Sequence, residues 1–429
     1  MRVQIIAIVV AIILAFLAVL VLIGVLPGLR ERGASGEKLT MWGFEKENIA
    51  NKIVLELGSS QNSADVKYIV KNLGAWESEL LNVLARGGVD APDILVFPSD
   101  YLKKHADKLS PAPSQLITER EIKQQFIEAA DAFLGKNNEI LGMPFYADAL
   151  VLYWNKDIFT QNLITLPPKT WDEFLEISSK ITKKDPSGAI LVSGAALGRG
   201  INIENAPLIL STLFLQSGDK IIKGSEVTLG ETAGVGMADL RPAESVLRFT
   251  SDFSNPRKTV QSWSPALQEA REVFASNRLG MYIGLISEYN EIKNKNPHLN
   301  FAVADLPQLK DALRPVTGGT LYALAVPKAS LKQRASWEFI KFLTSREPSS
   351  FYADEIGSVS LRRDMLPKYQ KESVRSVFAE AALALKLWPV PDPKAAKQIF
   401  KEMIEEVALE RATLREAIEK AKARLSAIN

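Results

Sequence analysis

Short apolar segments of strand character alternate along the chain with longer segments of helical periodicity. The pattern predicts strands at residues 39–42, 65–70 and 93–97, and helices at 46–57 and 76–85. Strands and helices that alternate in this way are typical of α/β layering. The body of the chain is therefore expected to have an α/β fold.

Capping boxes mark three further helix starts, because a threonine and a glutamate three residues later cap each other's backbone amides. The pairs are Thr118 with Glu121, Thr170 with Glu173, and Thr413 with Glu416. The helix after Thr170 is amphipathic, with its apolar residues on one face. The remaining predicted elements are helices at 206–215, 265–274, 337–343 and from Lys394 almost to the end, and a strand at 279–283.

The amino terminus carries a long apolar run. Residues 5–26 form 22 positions without a charge, and a membrane-spanning helix needs about 20. A secretory signal has an apolar region of only about 7–15 residues. The run therefore predicts an uncleaved anchor, with a cleaved signal as the alternative. Residues 27–37 are expected to form a flexible linker.

The charges beside this run do not settle its orientation. Arg2 precedes it, whereas Arg30, Arg32 and Lys38 follow it. Basic residues favour the cytoplasmic side of a span. The charge count alone therefore leans towards a cytoplasmic body or decides nothing.

The composition excludes several classes of protein. The chain has 429 residues, 47% of them hydrophobic, which is enough for two lobes or domains. Of its 52 basic and 50 acidic residues, the first 36 positions hold three arginines and one glutamate, so the body is neutral. A nucleic-acid binder normally carries a basic surplus. The absence of cysteine and the presence of only two histidines exclude Cys-zinc sites, thiol catalysis and multi-histidine metal cages.

The familiar catalytic motifs are absent from the sequence. It contains no phosphate-binding P-loop, no G-x-S-x-G nucleophile elbow and no H-E-x-x-H zinc motif. Acidic residues are plentiful, however, so an enzyme that uses a pair of carboxylates stays open as an alternative.

Three stretches together resemble the maltose-binding-protein-like family of extracellular solute-binding proteins, the capture subunits of ABC importers. Residues 142–182 begin GMPFYADALVLYWNKDIF, residues 270–293 read AREVFASNRLGMYIGLISEYNEIK, and residues 316–353 begin VTGGTLYALAVPKAS. Their order and spacing extend the resemblance over residues 39–429.

The resemblance implies an α/β fold of the periplasmic-binding-protein type II (Venus-flytrap) class, with two lobes, three crossovers and a ligand cleft between the lobes. The crossovers are expected near residues 146–150, 317–322 and 356–361. The expected divisions are 1–37 for the anchor or signal and linker, 38–147 plus 319–356 for the first lobe, and 148–318 plus 357–429 for the second lobe.

Sugar-binding sites combine flat apolar surfaces with carboxylate or amide groups. Positions carried over from the family, together with nearby aromatic and polar residues, give a set of expected ligand contacts. They are Trp42, Glu45, Lys46, Phe97, Asp100, Asp148, Asn202, Glu204, Asn205, Trp263, Ser287, Tyr289 and Trp388. Two positions depart from the family pattern: Tyr101 replaces a basic contact, and Ser287 replaces a tryptophan found in some sugar binders.

The resemblance implies non-catalytic capture of a carbohydrate, with an oligosaccharide as the first choice, and delivery to a membrane permease. It also implies a body outside the cytoplasmic membrane, which the span predicted from residues 5–26 would hold there. We further expect a monomer without a cofactor. The alternatives are a membrane-anchored carbohydrate-active enzyme using two carboxylates and a sensor that retains the binding fold.

Overall fold

The computed structural model describes residues 38–58, 65–88, 90–224, 226–231, 241–388 and 390–429. Its strands are β1 Lys38–Gly43, β2 Asp65–Val70, β3 Ile94–Pro98, β4 Leu109–Ser110, β5 Met143–Asn155, β6 Lys183–Lys184, β7 Ile190–Ala195, β8 Ile222–Lys223, β9 Glu226–Val227, β10 Leu279–Leu285, β11 Phe301–Ala304 and β12 Gly319–Pro327.

The strands alternate with α-helices, as the sequence pattern predicts. The helices are α1 Glu47–Gly58, α2 Trp76–Ala85, α3 Leu102–His105, α4 Glu119–Gln125, α5 Lys156–Gln161, α6 Trp171–Ile181, α7 Ala206–Gln216, α8 Pro242–Asp252, α9 Ala270–Ala275, α10 Glu288–Lys295, α11 Gln333–Leu343, α12 Arg346–Ile356, α13 Arg375–Leu383, α14 Pro393–Ala408 and α15 Leu414–Ile428. Short 3₁₀ helices lie at Ser99–Tyr101, Ala106–Lys108, Glu128–Phe133 and Leu366–Lys371.

One mixed sheet runs through the molecule in the order β2-β1-β3-β12-β5-β10-β7-β6, with β4 on β12 and β11 on β5. Strand β1 pairs in parallel with β2 and β3, and β10 pairs in parallel with β7. Strand β12 is antiparallel to both β3 and β5. The antiparallel β12 thus joins the parallel strands on one side to β5 in the middle of the sheet.

Strand β5 changes its partner half-way along its length. Residues 143–149 pair with β12, while residues 150–154 pair with β10 and residues 152–155 with β11. Nearly every side chain of β5 is buried, as expected for a strand covered on both faces. Strand β5 therefore links two parts of the sheet, each with its own helices.

Two adjacent glycines allow β12 to begin close to β5 and to α7. A Cβ atom on Gly319 would lie 2.3 Å from the carbonyl oxygen of Asp148, and one on Gly318 would lie 2.1 Å from the Thr212 hydroxyl oxygen. Any other residue at either position would force its neighbours to move, so close approach explains the Gly-Gly pair in the VTGGTLY stretch.

All three capping boxes form as predicted, at Thr118, Thr170 and Thr413. Two predictions of helix extent need correction. The helix expected at 265–274 spans only Ala270–Ala275. The continuous helix expected from Lys394 is two helices that pack against each other, because α14 ends at Ala408 and the third capping box begins α15.

A buried ion pair fixes the loop after β7 to α14. Glu405 Oε2 lies 2.5 Å from a guanidinium nitrogen of Arg199, and Glu405 Oε1 accepts the backbone N–H of Gly200 at 2.6 Å. Residues 199–200 are thus held by a helix about 200 positions later in the chain.

The predicted anchor at residues 5–26 and the linker at 27–37 lie outside the described residues. Among the helices that the structure describes, none has the length and apolar character needed to cross a membrane.

The contact at Gly319 makes a stability prediction. In Gly319→Ala the new methyl group meets the β5 backbone, so we expect a loss of about 1–3 kcal/mol in the free energy of unfolding. Chemical denaturation measures this loss. Gly74→Ala is the control, because its Cβ would meet only the Asn72 side chain, at 3.1 Å. Equal stability of the two variants would contradict the steric argument.

Candidate functional site

Three of the predicted site carboxylates surround one buried tyrosine. Tyr322 lies on β12, and its pKa is raised well above the usual value, first by burial and then by the charges of Asp148, Asp100 and Glu45. These carboxylates follow or lie on three different strands, β5, β3 and β1. The fold thus gathers residues far apart in sequence around the centre of the sheet.

Asp148 lies on β5 where the strand changes partner, directly opposite Thr320 of β12. Its two carboxylate oxygens accept the Ser287 backbone N–H at 3.0 Å and the Ser287 hydroxyl at 2.7 Å. Burial raises the pKa of Asp148 to about 6, although both bonds from Ser287 act in the opposite direction. A serine, rather than the basic partner of an ion pair, therefore holds this carboxylate.

Asp100 lies in the 3₁₀ turn after β3. The Thr320 hydroxyl donates to it at 2.8 Å and the Ser99 hydroxyl at 3.3 Å. Burial raises the pKa of Asp100 above its usual value, and these two bonds offset part of the rise. Thr320 thus bonds Asp100 and lies opposite Asp148, which places it between two of the three carboxylates.

Glu45 follows β1 and is held by tyrosines. Its Oε1 accepts the Tyr352 hydroxyl at 3.1 Å, and its backbone N–H donates to the Tyr68 hydroxyl oxygen at 3.3 Å. Burial raises the pKa of Glu45, while hydrogen bonds from Tyr352 and Tyr146 lower it. The neighbouring Lys46 is exposed.

The tyrosine rings pack against one another. Tyr146 stacks on Tyr322 with ring centroids 4.6 Å apart and lies 6.0 Å from Tyr352. These rings leave no space for a ligand between them. They form a buried aromatic cluster next to the carboxylates.

A groove of about 690 Å³ brings Asp100 together with Trp388. Ligand pockets commonly measure about 300–1,000 Å³. Trp388 is half-buried and packs on Phe400 of α14, with ring centroids 5.3 Å apart. The apolar lining includes Leu102, Leu109, Pro111, Leu134, Leu141 and Leu387. The groove thus combines carboxylates and lysines with a flat aromatic ring and aliphatic walls.

Three predicted aromatic contacts are wrong, because the rings lie in the core. Phe97 and Trp263 have no exposed surface, and Trp42 is 6% exposed. Phe97 packs edge-on against Trp76, and the Lys71 ammonium covers the Trp42 ring at 3.8 Å. None of the three offers a free ring face to a ligand.

Asn202, another predicted ligand contact, bonds residues of the protein itself, and its contact with a ligand stays a prediction. Its amide nitrogen donates to the carbonyl oxygens of Ser264 and Leu267, both at 2.9 Å, and its amide oxygen accepts the indole N–H of Trp263 at 3.0 Å. Both N–H donors of the amide and one bond to its oxygen thus fix the loop around Trp263.

The other predicted contacts in the later part of the chain have varied surroundings. Asn205 is buried and donates to Glu288 at 2.7 Å, so its amide belongs to an internal network. Glu204 is exposed, and Tyr289 packs between Phe301 and Phe378. Ligand contact by Glu204 and Tyr289 stays a prediction, as it does for Lys46.

Sequence reasoning missed Thr320 and the tyrosines at positions 68, 146, 322 and 352. A signal was present for some of them. Side chains two positions apart on a strand share a face, so Tyr146 accompanies Asp148, and Tyr322 accompanies Thr320. Tyr68 and Tyr352 lie in elements that the sequence does not connect with the site.

Comparison with known proteins shows which family the chain belongs to. The family model described as bacterial extracellular solute-binding protein matches residues 27–348. The chain belongs to that family.

The curated relatives of this solute-binding protein are distant. A binding protein of Brucella abortus (strain 2308) is 23% identical over 247 residues, which is 57% of this chain and 56% of that protein. The match thus spans little more than half of that relative's length. The galactooligosaccharide-binding protein of Bacillus subtilis (strain 168) is 20% identical over 398 residues, 90% of this chain and 88% of that protein.

Solved structures confirm the two-lobed solute-binding fold. The sugar-binding protein MalE from Xanthomonas citri superposes with a TM-score of 0.74 at 18% identity, over 91% of this chain and 97% of that one. A solute-binding protein from Thermotoga lettingae bound to alpha-D-tagatose gives a TM-score of 0.69 at 21% identity, over 91% and 99% of the two chains.

The burial of Asp148 predicts how its replacement changes stability with pH. A carboxyl whose pKa is raised on folding holds more protons in the folded state, so its contribution to stability falls as pH rises from about 4 to about 6. Asp148→Asn should therefore be more stable than the wild type at pH 7 and similar to it at pH 4. Denaturation across this pH range measures the difference.

Asp185→Asn is the matched control, for which the expected change in stability at neutral pH has the opposite sign. Hydrogen bonds from Ser187 and Ala189 hold the pKa of the exposed Asp185 below its usual value. This variant should therefore lose stability at neutral pH. A loss of stability at pH 7 in Asp148→Asn as well would contradict the role given to burial.

Proposed function

We propose that this protein is the substrate-binding component of an ABC importer, which captures an oligosaccharide in a cleft between its two lobes. The observation that carries the proposal is the cluster of Glu45, Asp100 and Asp148 around Tyr322, held by hydroxyl groups. Carboxylates held in this way keep lone pairs that accept hydrogen bonds from sugar hydroxyls.

The groove with Trp388 supplies the apolar part of the site. The C–H faces of a sugar ring pack on a flat aromatic surface, as Trp388 provides beside Asp100. The names of two similar proteins agree with this ligand class. One relative is a galactooligosaccharide-binding protein, and a solved neighbour is a cyclo/maltodextrin-binding protein complexed with maltotetraose, at 18% identity and a TM-score of 0.72 over 92% of this chain and 98% of that one.

The two lobes are residues 38–147 plus 319–356 and residues 148–318 plus 357–429. The change of partner within β5 after position 149 and the start of β12 at Gly319 support the first two boundaries. The end of α12 at Ile356, followed by Gly357 with a φ of +71°, supports the third. Chain crossings at these points form a hinge, and a ligand that contacts both lobes favours their closed arrangement.

The protein acts as a monomer that delivers its ligand to a membrane permease. We place the body outside the cytoplasmic membrane, held by a single span formed from residues 5–26. The family supports this side of the membrane. The comparisons give no support to the alternative of a carboxylate-pair enzyme.

Asp148 provides the test of ligand binding. A melting-temperature screen against neutral oligosaccharides first identifies a ligand, because ligand that binds only the folded state stabilises it. A hydrogen bond to a charged group contributes about 1.5–3 kcal/mol, so Asp148→Asn should weaken binding about ten- to a hundredfold in calorimetric titration. Wild-type affinity should fall as pH drops below about 6, where Asp148 becomes protonated.

The control for this test is Asp185→Asn, which removes an exposed carboxylate distant in sequence and should bind like the wild type. Unchanged affinity in Asp148→Asn would remove Asp148 from the site. A screen in which no oligosaccharide raises the melting temperature would count against the proposed ligand class.

The membrane span is tested separately. Full-length protein should stay with membranes after high-salt washing, because about 20 buried apolar residues are not displaced by ionic strength. A version that begins at Glu37 should be released in soluble form. Recovery of native protein with a mature amino terminus near residue 35 would show a cleaved signal instead.

A further inference from the structure

A cluster of ionic side chains joins α2 and α3 to the start of α14. This latch cluster consists of Glu77, Lys104, His105, Asp392 and Lys394. Glu77 Oε1 lies 2.8 Å from His105 Nε2 and 2.9 Å from Lys104 Nζ, which are contacts within the first lobe. Lys104 Nζ lies 3.4 Å from Asp392 Oδ2, and Lys394 Nζ lies 3.5 Å from Glu77 Oε2. These last two pairs cross to the carboxyl-terminal segment.

The acidic centre of the latch cluster is buried, whereas its outer members reach solvent. The Glu77 side chain is 8% exposed, while that of Lys394 is 53% exposed. Burial acts to raise the pKa of Glu77, but hydrogen bonds and charges from Lys104 and His105 hold it below the usual value. Glu77 therefore carries a fixed negative charge. Lys394 approaches its Oε2, whereas Lys104 and His105 contact its Oε1.

The contacts of Asp392 and Lys394 lie close in sequence to Leu387 and Trp388, which line the groove. Asp392 caps α14, since its Oδ1 accepts the Ala395 backbone N–H at 3.0 Å, and it lies four positions after Trp388. Lys394 also donates to the Gly74 carbonyl oxygen at 3.1 Å. Helix α14 packs against α7 and α15, which we assign to the second lobe.

We propose that the Lys104–Asp392 and Glu77–Lys394 pairs form an interlobe latch, which holds the start of α14 and the nearby Trp388 against the first lobe and sets how readily the groove opens. This inference rests on the proposed function for its effect on ligand binding, although the latch itself is a property of the protein alone. These two ion pairs, which lie outside the groove, then position Trp388 in the groove wall.

The exposure of these pairs limits the strength of the latch. Exposed ion pairs are individually weak and are screened by salt. Together, two such pairs change the ratio of closed to open molecules by about two- to thirtyfold. The latch therefore shifts the balance without locking the lobes, and a ligand can still decide the outcome.

The test uses the double variant Asp392→Asn/Lys394→Gln. Asparagine still caps a helix, so α14 keeps its start, and the Glu77, Lys104 and His105 contacts stay intact. The matched control is Glu406→Gln/Lys420→Gln, which removes an ion pair between α14 and α15. Both double variants remove one acidic and one basic side chain.

The distance between the lobes is measured without ligand. Because the chain has no cysteine, Ser78→Cys and Lys397→Cys provide two unique sites for spin labels, both exposed and flanking the latch cluster. The latch variant should shift the distance distribution to longer values, as should 1 M salt in the wild type, whereas the control should not. An unchanged distribution in the latch variant, or an equal change in the control, would overturn the proposal.

Binding of an oligosaccharide identified by the screen gives the second readout. The latch variant should bind about two- to thirtyfold more weakly, mainly through faster dissociation. An altered distance with no oligosaccharide bound by any form would contradict the ligand class and leave the latch supported. Normal affinity together with an altered distance would overturn the link between the latch and the groove.

Discussion

The structure depends on the close contact between β5 and β12 at the point where β5 changes partner. Strand β5 is long enough to pair with β12 along one half and with β10 and β11 along the other. Gly319 allows the β12 backbone to approach Asp148 more closely than a side chain would permit. The same contact places Thr320 opposite Asp148 and within 2.8 Å of Asp100. The hinge and the ligand site that we propose therefore share these few residues.

Buried carboxylates without basic partners are costly, because burial disfavours the charged form. The rise in pKa at Asp100, Asp148 and Glu45 expresses that cost. Serine, threonine and tyrosine hydroxyls offset it only in part. A salt bridge would stabilise each charge more fully but would also occupy the oxygens. Hydroxyl donors leave acceptor capacity for a ligand, which explains why a binding protein tolerates this arrangement.

Local patterns in the sequence were sufficient for the layering and for the three helix starts that have capping boxes. The capping boxes depend on residues three positions apart, and the alternation of strands and helices is a property of short windows. The site was predicted less well, because its contacts are not local. Ser287, which bonds Asp148, lies 139 positions away, and Asn202 is occupied by a loop more than 60 positions later. Phe97 and Trp263 are as apolar as Trp388, and packing alone decides which ring faces a groove.

The groove is lined by segments that lie far apart in the chain, which has a physical consequence. Asp100 comes from the segment after β3, whereas Leu387 and Trp388 come from the segment before α14. A site on one rigid lobe binds its ligand equally in the open and closed arrangements, and such a ligand shifts no equilibrium. When the two walls belong to different lobes, part of the binding free energy exists only in the closed form. In the cleft that we propose, walls from two different lobes thus couple ligand binding to closure.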